Sequence, residues 1–345
     1  MLFSEVFGHN KIKDVLIRGA NSGRVGHAYI FEGPQGVGRL SMAKAFAMRL
    51  MCENPNDDDS CGICKTCSQC MSQNNPDLRI VNNQLYDPSK KSTDILVDTV
   101  RNMKREIYIK PYAAERKVYI VPNADTMNLY AQNSLLKVLE EPPEYCTIIL
   151  IAENSNLFLP TILSRAPILK FFPLAENEVR EYLAKSSIEC DADEIDIAAK
   201  MCQGSIGKAK ELLEDSETGD LRNALLDSIF ALVGERRKGI YELMLLLKQN
   251  KDEFEFLVNV MQSVFRDLIY VKNIENHPEI TNGDKWIKLQ KFADSIGREC
   301  PIRLNEILFK YSDYFSKNIS YGLIAQCLSL ELWEAINDRG YRSKI

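Results

Sequence analysis

The chain of 345 residues has little histidine, no excess of basic charge and no long apolar run. Three histidines without a partner pattern give no support to histidine-based catalysis. The net charge of −5 excludes a globally basic nucleic-acid binder, although a local basic face is compatible with it. No apolar run approaches the roughly 20 residues of a membrane span, and the N-terminus lacks a basic stretch followed by an apolar signal core. We therefore predict a cytoplasmic protein with no membrane partner.

The first half of the chain alternates short β-rich runs with helical patterns. Such alternation predicts an α/β fold in which helices cover a mainly parallel sheet. The predicted strands are residues 28–31, 78–81, 118–121, 147–151 and 168–172, and the predicted helices between them are residues 40–51, 93–104 and 129–139. After residue 174 the pattern is helical throughout, and the polar sequence SETGD at residues 216–220 predicts a linker.

A glycine-rich sequence, GPQGVG at residues 33–38, follows the first predicted strand and precedes a helix. This arrangement is typical of a phosphate-binding loop. A working loop continues with Lys for the β/γ-phosphates and Ser or Thr for Mg²⁺, whereas this chain continues with Arg39 and Leu40. Leu40 has no oxygen for a metal, and the planar fork of an arginine differs from the point charge of a lysine. The remnant of the loop consists of Gly33, Gly36, Gly38 and Arg39.

The second nucleotide signature also lacks its acidic residues. The strand at residues 118–121 ends in Pro122 and Asn123, where a metal-binding Asp and a catalytic Glu are expected. Asp125 lies about one helical turn further on and is predicted to cap the following helix. Phosphoryl transfer requires its groups at closely defined positions. The loss of both the loop residues and the acidic residues therefore argues against ATP hydrolysis at this site. Binding of ATP or ADP stays open, since the backbone N–H groups of the loop persist.

Five of the ten cysteines lie between residues 52 and 70, and residues 61–67 join two C-x-x-C steps. In a reducing compartment such a cluster indicates a metal site and not disulfides. The preferred ligands of a structural Zn²⁺ are Cys52, Cys61, Cys64 and Cys67. Cys70 is a fifth sulfur that competes with Cys67 or Cys52, and an iron–sulfur cluster is the alternative to zinc.

Several segments together resemble the bacterial clamp-loader ATPases. The opening residues 2–9 and 26–34 carry the resemblance, as do the NPD and KPY sequences at 75–77 and 110–112. The most specific stretch is NSLLKVLEEPP at 133–143, and LPTILSR at 159–165 resembles the Ser-Arg-Cys motif of the family, with Ala166 as its departure.

The resemblance implies the AAA+ fold, a P-loop NTPase-like architecture in three parts. These are a nucleotide-fold core at residues 1–172 with a zinc module at about 52–70, a helical lid at 173–215, and an all-α C-terminal oligomerisation (collar) domain at 216–345. Arg165 would enter the ATP site of a neighbouring motor subunit as an arginine finger; the alternative is a surface arginine paired within its own chain. The sensor positions of the family would fall near residues 153–154 and at Lys208, both departures from the family pattern.

Within that family the motor subunits keep the loop Lys and Thr. One subunit often loses them while keeping the arginine of the Ser-Arg-Cys motif. The chain resembles the second kind, a stator that helps gamma/tau motor subunits and a delta subunit to load the sliding clamp on primer-template DNA. A basic stretch at residues 101–117 is explained equally by contact with DNA phosphates and by a solvated helix face. The alternative functions are an active gamma/tau-type ATPase and a helicase-like DNA-remodelling ATPase.

Overall fold

A computed structural model describes residues 1–186, 188, 190–214, 216–233, 236–273, 280–317 and 319–337. The chain divides into two compact units. The first comprises Met1–Tyr182 and Gly204–Gly207, and the second comprises Leu183–Gln203 and Lys208–Ile345. This division falls inside the segment predicted as a lid, and the arrangement in three domains stays a prediction.

The first unit is built on a five-stranded parallel sheet. Its strands in chain order are β1 Ala28–Glu32, β2 Leu78–Ile80, β3 Lys117–Val121, β4 Cys146–Ala152 and β5 Ile168–Lys170. In space the order is β2-β3-β4-β1-β5, and every neighbouring pair is parallel. The five strands predicted from the sequence are confirmed, with ends that shift by one or two residues.

An apolar core lies on each face of this sheet. All seven residues of β4 and all five residues of β3 are buried. Side chains alternate along a strand, so Ile148 and Leu150 join one core while Ile149 and Ile151 join the other. Burial on both faces explains why these strands are continuous apolar runs and not alternating ones.

Seven α-helices begin between residues 1 and 185 and lie wholly or largely in the first unit. They are α1 Asn10–Asn21, α2 Arg39–Met51, α3 Lys65–Met71, α4 Val97–Ile107, α5 Leu129–Glu140, α6 Pro160–Leu163 and α7 Glu176–Lys185. The predicted helix at residues 93–104 begins later, at Val97. The reason is Asn83, whose Nδ2 donates to the Ser92 and Asp94 carbonyls at 2.7 Å each and whose Oδ1 accepts from the Leu96 amide. These bonds hold the segment before α4 in a non-helical path.

The rest of the described chain is helical. The helices are α8 Ala192–Met201, α9 Ile206–Glu214, α10 Ser216–Ala231, α11 Arg236–Gln249, α12 Phe254–Asn273, α13 Trp286–Ser295, α14 Cys300–Ser316 and α15 Tyr321–Asn337. Among its described residues the second unit has one large apolar cluster, which includes fully buried side chains such as Phe265, Leu304 and Leu328. No strand occurs among the described residues after 174, as predicted. None of the helices described has the length and hydropathy needed to cross a membrane.

The linker predicted at residues 216–220 is wrong, because these residues form the first turns of α10. Serine, threonine and acidic residues are as typical of the first helical turn as of a loop. The polar composition of this segment therefore marks the start of a helix and not a break.

Asp77 joins β2 to the segment that precedes β3. Its side chain is 1% exposed and accepts from the backbone N–H groups of Tyr112, Ala113 and Ala114 at 2.8, 2.7 and 3.0 Å. The Asn75 Oδ1 accepts from the Asp77 N–H at 2.8 Å. The NPD and KPY sequences are thus two halves of one hydrogen-bonded connection.

Replacing Asp77 with alanine should lower the free energy of unfolding by about 2–4 kcal/mol, because three backbone donors lose a charged acceptor. Asp77→Asn should cost less, since one carbonyl acceptor remains. Urea titration followed by circular dichroism measures both. Asp14→Ala, an exposed carboxylate on α1, is the matched control and should change stability by at most about 0.5 kcal/mol. Equal midpoints for the Asp77→Ala and Asp14→Ala chains would contradict this role.

Candidate functional site

The glycine loop lies between β1 and α2, at the carboxyl end of the sheet. Gly36 and Gly38 have φ angles of 76° and 101°, in the region that favours glycine. A Cβ on Gly36 would lie 3.2 Å from the Gly207 Cα, so this position also needs a small residue. The shape of a phosphate-binding loop is therefore retained.

The carbonyl groups of the loop are bound by the first unit itself. Gly36 O accepts from the Gly207 N–H at 3.1 Å, and Val37 O accepts from His9 Nε2 at 2.9 Å. Burial lowers the pKa of His9, which favours a neutral ring that carries its proton on Nε2. The resulting bonds fix the outer turn of the loop without any ligand.

Arg39 does not reach toward the space in front of the loop. It is 7% exposed, its Nη1 donates to the Ala152 carbonyl at the end of β4, and its Nη2 lies 4.0 Å from Glu153 Oε1. Burial lowers the pKa of Arg39, and the charges of Glu153 and Asp125 oppose that shift. The guanidinium is thus engaged within its own chain. The next side chain, Leu40, is 38% exposed and offers no metal ligand.

Asp125 was predicted to cap the following helix, and the structure contradicts this. Asp125 lies inside the 3-10 turn Ala124–Thr126, and its Oδ2 accepts from the amides of Glu153 and Asn154 at 2.8 and 3.2 Å. The cap of α5 is Asn128, whose side chain accepts from the Ala131 N–H at 3.0 Å. Asp125 therefore ties the end of β3 to the end of β4.

Arg165 follows α6 and is one-third exposed. Its Nη2 lies 3.0 Å from Glu140 Oε1 at the end of α5, and its Nη1 donates to Thr161 O at 2.9 Å and Ser164 Oγ at 3.1 Å. The side chain of Glu140 is 49% exposed. Ion pairs of this exposure contribute about 0–1 kcal/mol, so the guanidinium can exchange its partner for another anion at little cost.

The start of α6 is fixed by Gln132, a buried residue of α5 that the sequence did not single out. Its Nε2 donates to the carbonyls of Met127 and Leu157 at 2.9 and 3.0 Å, and its Oε1 accepts from the Leu159 N–H at 2.8 Å. This amide holds the chain that leads into α6 and so positions Arg165. The one sequence signal for Gln132 was a polar residue on an otherwise apolar face of the predicted helix.

The four preferred cysteines come together in the first unit. The sulfur atoms of Cys52, Cys61, Cys64 and Cys67 lie within 4.8 Å of one another. The Sγ–Sγ distance is 3.5 Å from Cys52 to Cys61 and 3.9 Å from Cys61 to Cys67. A tetrahedral zinc with Zn–S bonds of about 2.3 Å requires sulfur separations of about 3.8 Å. The spacing of the ligand atoms therefore fits the metal.

The local backbone favours the thiolate at one member of this cluster, whereas burial raises the pKa of the Cys52 and Cys67 thiols. The N–H groups of Ile63 and Cys64 lower the pKa of Cys61 to about 6. Cys70 lies outside the group of four, and burial raises its pKa to about 11. Among the residues that the structure describes, these four sulfurs alone have the geometry of a metal site.

Two carboxylates fix the cysteine module, one against the rest of the unit and one within the module itself. Asp59 accepts from the amides of Phe3 and Ser4 at 3.0 Å each, which joins the module to the N-terminal turn. Glu53 Oε1 accepts from the Thr66 hydroxyl at 2.8 Å. The module is therefore built into the first unit and is not a free appendage.

The strand order and the glycine loop between β1 and α2 define the nucleotide fold of AAA+ proteins. Residues 8–175 match the family model described as "DNA polymerase III, delta subunit". The matched segment is just under half of the chain, and it makes the first unit similar to the DNA polymerase III subunits of the clamp-loader family.

Three curated relatives illustrate the similarity. The chain is 28% identical to DNA polymerase III subunit tau of Bacillus subtilis over 92% of its own length and 57% of that relative. It is 28% identical to subunit tau/gamma of Haemophilus influenzae over 76% of its length and 37% of that relative. It is 27% identical to subunit delta' of Bacillus subtilis over 82% of its length and 83% of that relative. The chain thus spans about half the length or less of the two tau-type relatives.

Proposed function

We propose that the chain is a delta prime-type clamp-loader subunit, a stator that does not hydrolyse ATP. The observation that carries this proposal is the contrast between two arginines. Arg39, in the chain's own loop, is buried against Ala152 and Glu153, whereas Arg165 is one-third exposed and held by an exposed carboxylate. In this proposal Arg165 is accessible to the ATP site of a neighbouring subunit, whereas Arg39 is buried beside the chain's own loop.

The composition of the loop supports the absence of turnover. A hydrolytic site needs a hydroxyl for Mg²⁺ and acidic residues at the end of the second strand. The positions in this chain are occupied by Leu40, Pro122 and Asn123, and Asp125 is engaged with the backbone amides of Glu153 and Asn154, which follow β4. A gamma/tau-type ATPase and a helicase-like remodelling ATPase both require these groups, so we rank the two alternatives below the stator. Sequence identity does not separate a delta prime-type subunit from a gamma/tau-type subunit, because the chain is 27% identical to the delta' relative and 28% identical to the tau relative.

The proposed role of Arg165 is to stabilise charge in a neighbouring subunit's ATP site. A guanidinium supplied in trans contributes about 10³–10⁵ to the rate of phosphoryl transfer in other systems. Arg165 follows the short helix α6, its guanidinium contacts three acceptors, and its side chain is partly exposed. These features are compatible with placing the charge at a contact between subunits.

We further propose that the four cysteines hold one structural Zn²⁺. The four sulfur ligands leave no position for substrate, and no histidine belongs to the group, so the ion has no catalytic part. Its function is to fold residues 52–70 against α2 and the N-terminal turn.

The proposed partners are gamma/tau motor subunits and a delta subunit, with the sliding clamp and primer-template DNA reached through the assembled complex. The proposed division of labour assigns nucleotide-fold contacts to residues 1–172, lid contacts to 173–215 and oligomerisation to 216–345. Exposed apolar residues on the second unit, among them Phe309 and Leu330, support an oligomerisation surface there. The proposed compartment is the cytoplasm.

Isothermal titration with Mg-ATP and a phosphate-release assay on the purified chain test the proposal. We expect no turnover and a Kd weaker than about 1 mM. The double variant Arg39→Lys, Leu40→Thr restores the missing loop side chains and should bind Mg-ATP more tightly, but still without hydrolysis because Pro122 and Asn123 remain. Robust hydrolysis by the unmodified chain would refute the stator assignment.

A further inference from the structure

A cavity of about 730 Å³ opens at the β2 edge of the sheet, within the first unit. We call it the edge groove. Its walls are formed by Lys44 and Met48 of α2, by Met71 at the end of α3 and by the side chains of β2. Met71 is 47% exposed, and Leu85 on the opposite wall is 39% exposed. The groove therefore has apolar side chains among the polar ones of its walls and is open to solvent.

The outer side of β2 presents free backbone groups to this groove. Asp77 O accepts from the Val118 N–H and the Val81 N–H donates to Ile120 O, so these positions face β3. Because backbone groups alternate along a strand, the N–H and C=O groups of Leu78 and Ile80 point away from β3. In the part of the chain that is described, no hydrogen bond covers these groups. Such an edge is a template for an added strand.

The charges around the edge groove have one sign. Its charged side chains are those of Lys44 and Arg79. Arg79 Nε lies 4.0 Å from Glu106 Oε2, outside the lining, so Lys44 is the cation expected to meet a carboxylate of the ligand. A groove that combines a cationic side chain with apolar ones complements a ligand that has carboxylates and apolar side chains.

We propose that the edge groove binds an extended, acidic and apolar peptide segment of a partner protein, which adds a strand to β2. In this mode the free groups of Leu78 and Ile80 bond the peptide backbone, and alternate apolar side chains of the peptide enter the cavity. Carboxylates of the peptide lie near Lys44. This surface is independent of the glycine loop, of Arg165 and of the proposed function.

A displayed library of random octapeptides, selected against the full chain, tests the proposal. We expect enrichment of sequences in which apolar and acidic residues alternate. Binding of an enriched peptide should fall about tenfold or more in the Lys44→Glu chain, because a like charge replaces an attraction. The Lys11→Glu chain carries the same charge change on exposed α1 and should bind as the unmodified chain does. Circular dichroism checks that both variants are folded.

Amide hydrogen exchange identifies the binding mode. The N–H groups of Leu78 and Ile80 should exchange quickly in the free chain and about tenfold or more slowly with the peptide bound. Failure to enrich such peptides, binding that survives Lys44→Glu, or unprotected amides at both positions would each overturn the proposal. Selection of helical or basic peptides, or self-association of the chain through β2, would overturn it equally.

Discussion

Replacing Arg165 with alanine should abolish the fast phase of ATP hydrolysis in a reconstituted clamp-loader complex. The neighbouring site would lose about 10³-fold in rate, because the transition-state charge on the phosphoryl group loses its external guanidinium. Stability of the isolated chain should change by no more than about 1 kcal/mol, since Arg165 is one-third exposed and its ion pair with Glu140 is exposed as well. Rapid measurement of phosphate release from the complex reports the first effect, and urea titration reports the second.

Glu140→Gln provides the matched control for this experiment. It removes the charged partner of Arg165 within the chain but leaves the guanidinium in place, so turnover of the complex should stay within about threefold of the original. Arg165→Lys keeps the charge without the planar fork and should fall between the alanine variant and the unmodified chain. Unchanged turnover in the Arg165→Ala complex would instead support an arginine that only pairs with Glu140.

The parts of the fold that sequence predicts well are those with a local signal. The five strands are predicted from apolar runs and the cysteine cluster from C-x-x-C steps. Each of these signals is contained in a few consecutive residues. The Asp125 contact was missed because its partner amides lie 28 and 29 residues away, just after the end of β4. A carboxylate near a predicted helix was assigned to that helix, since nothing local reveals the neighbouring strand.

The two arginines illustrate the same limit at the candidate site. Sequence identifies Arg39 as a substitution in the loop, but its burial against Ala152 depends on a contact across 113 residues. Likewise Arg165 is identified by its motif, whereas its positioning by Gln132 and Glu140 depends on how α5 packs beside α6. Whether an arginine is enclosed or available is a property of tertiary packing, and this distinction carries the proposed function.

Removal of one cysteine of the group of four should release the metal. We expect about one zinc per chain in the purified protein and little in the Cys67→Ser chain, because Cys67 is fully buried and its sulfur lies 3.9 Å from that of Cys61. A hydroxyl is a poor replacement for a thiolate, so affinity should fall on the order of 100-fold or more. Elemental analysis after dialysis measures the stoichiometry. Iron and visible absorbance in the unmodified chain would contradict the zinc assignment and indicate an iron–sulfur cluster.

The effect of metal loss on folding should be local but large. Without the ion, residues 52–70 lose the bonds that close the module, and the contacts of Asp59 with the Phe3 and Ser4 amides loosen with them. Hydrogen exchange should therefore rise across the module and the N-terminal turn, while β3 and β4 stay protected. Cys70→Ser is the matched control, because this sulfur is close in sequence yet outside the group of four. If Cys70→Ser released the metal as readily as Cys67→Ser, the ligand set would have to include the fifth cysteine.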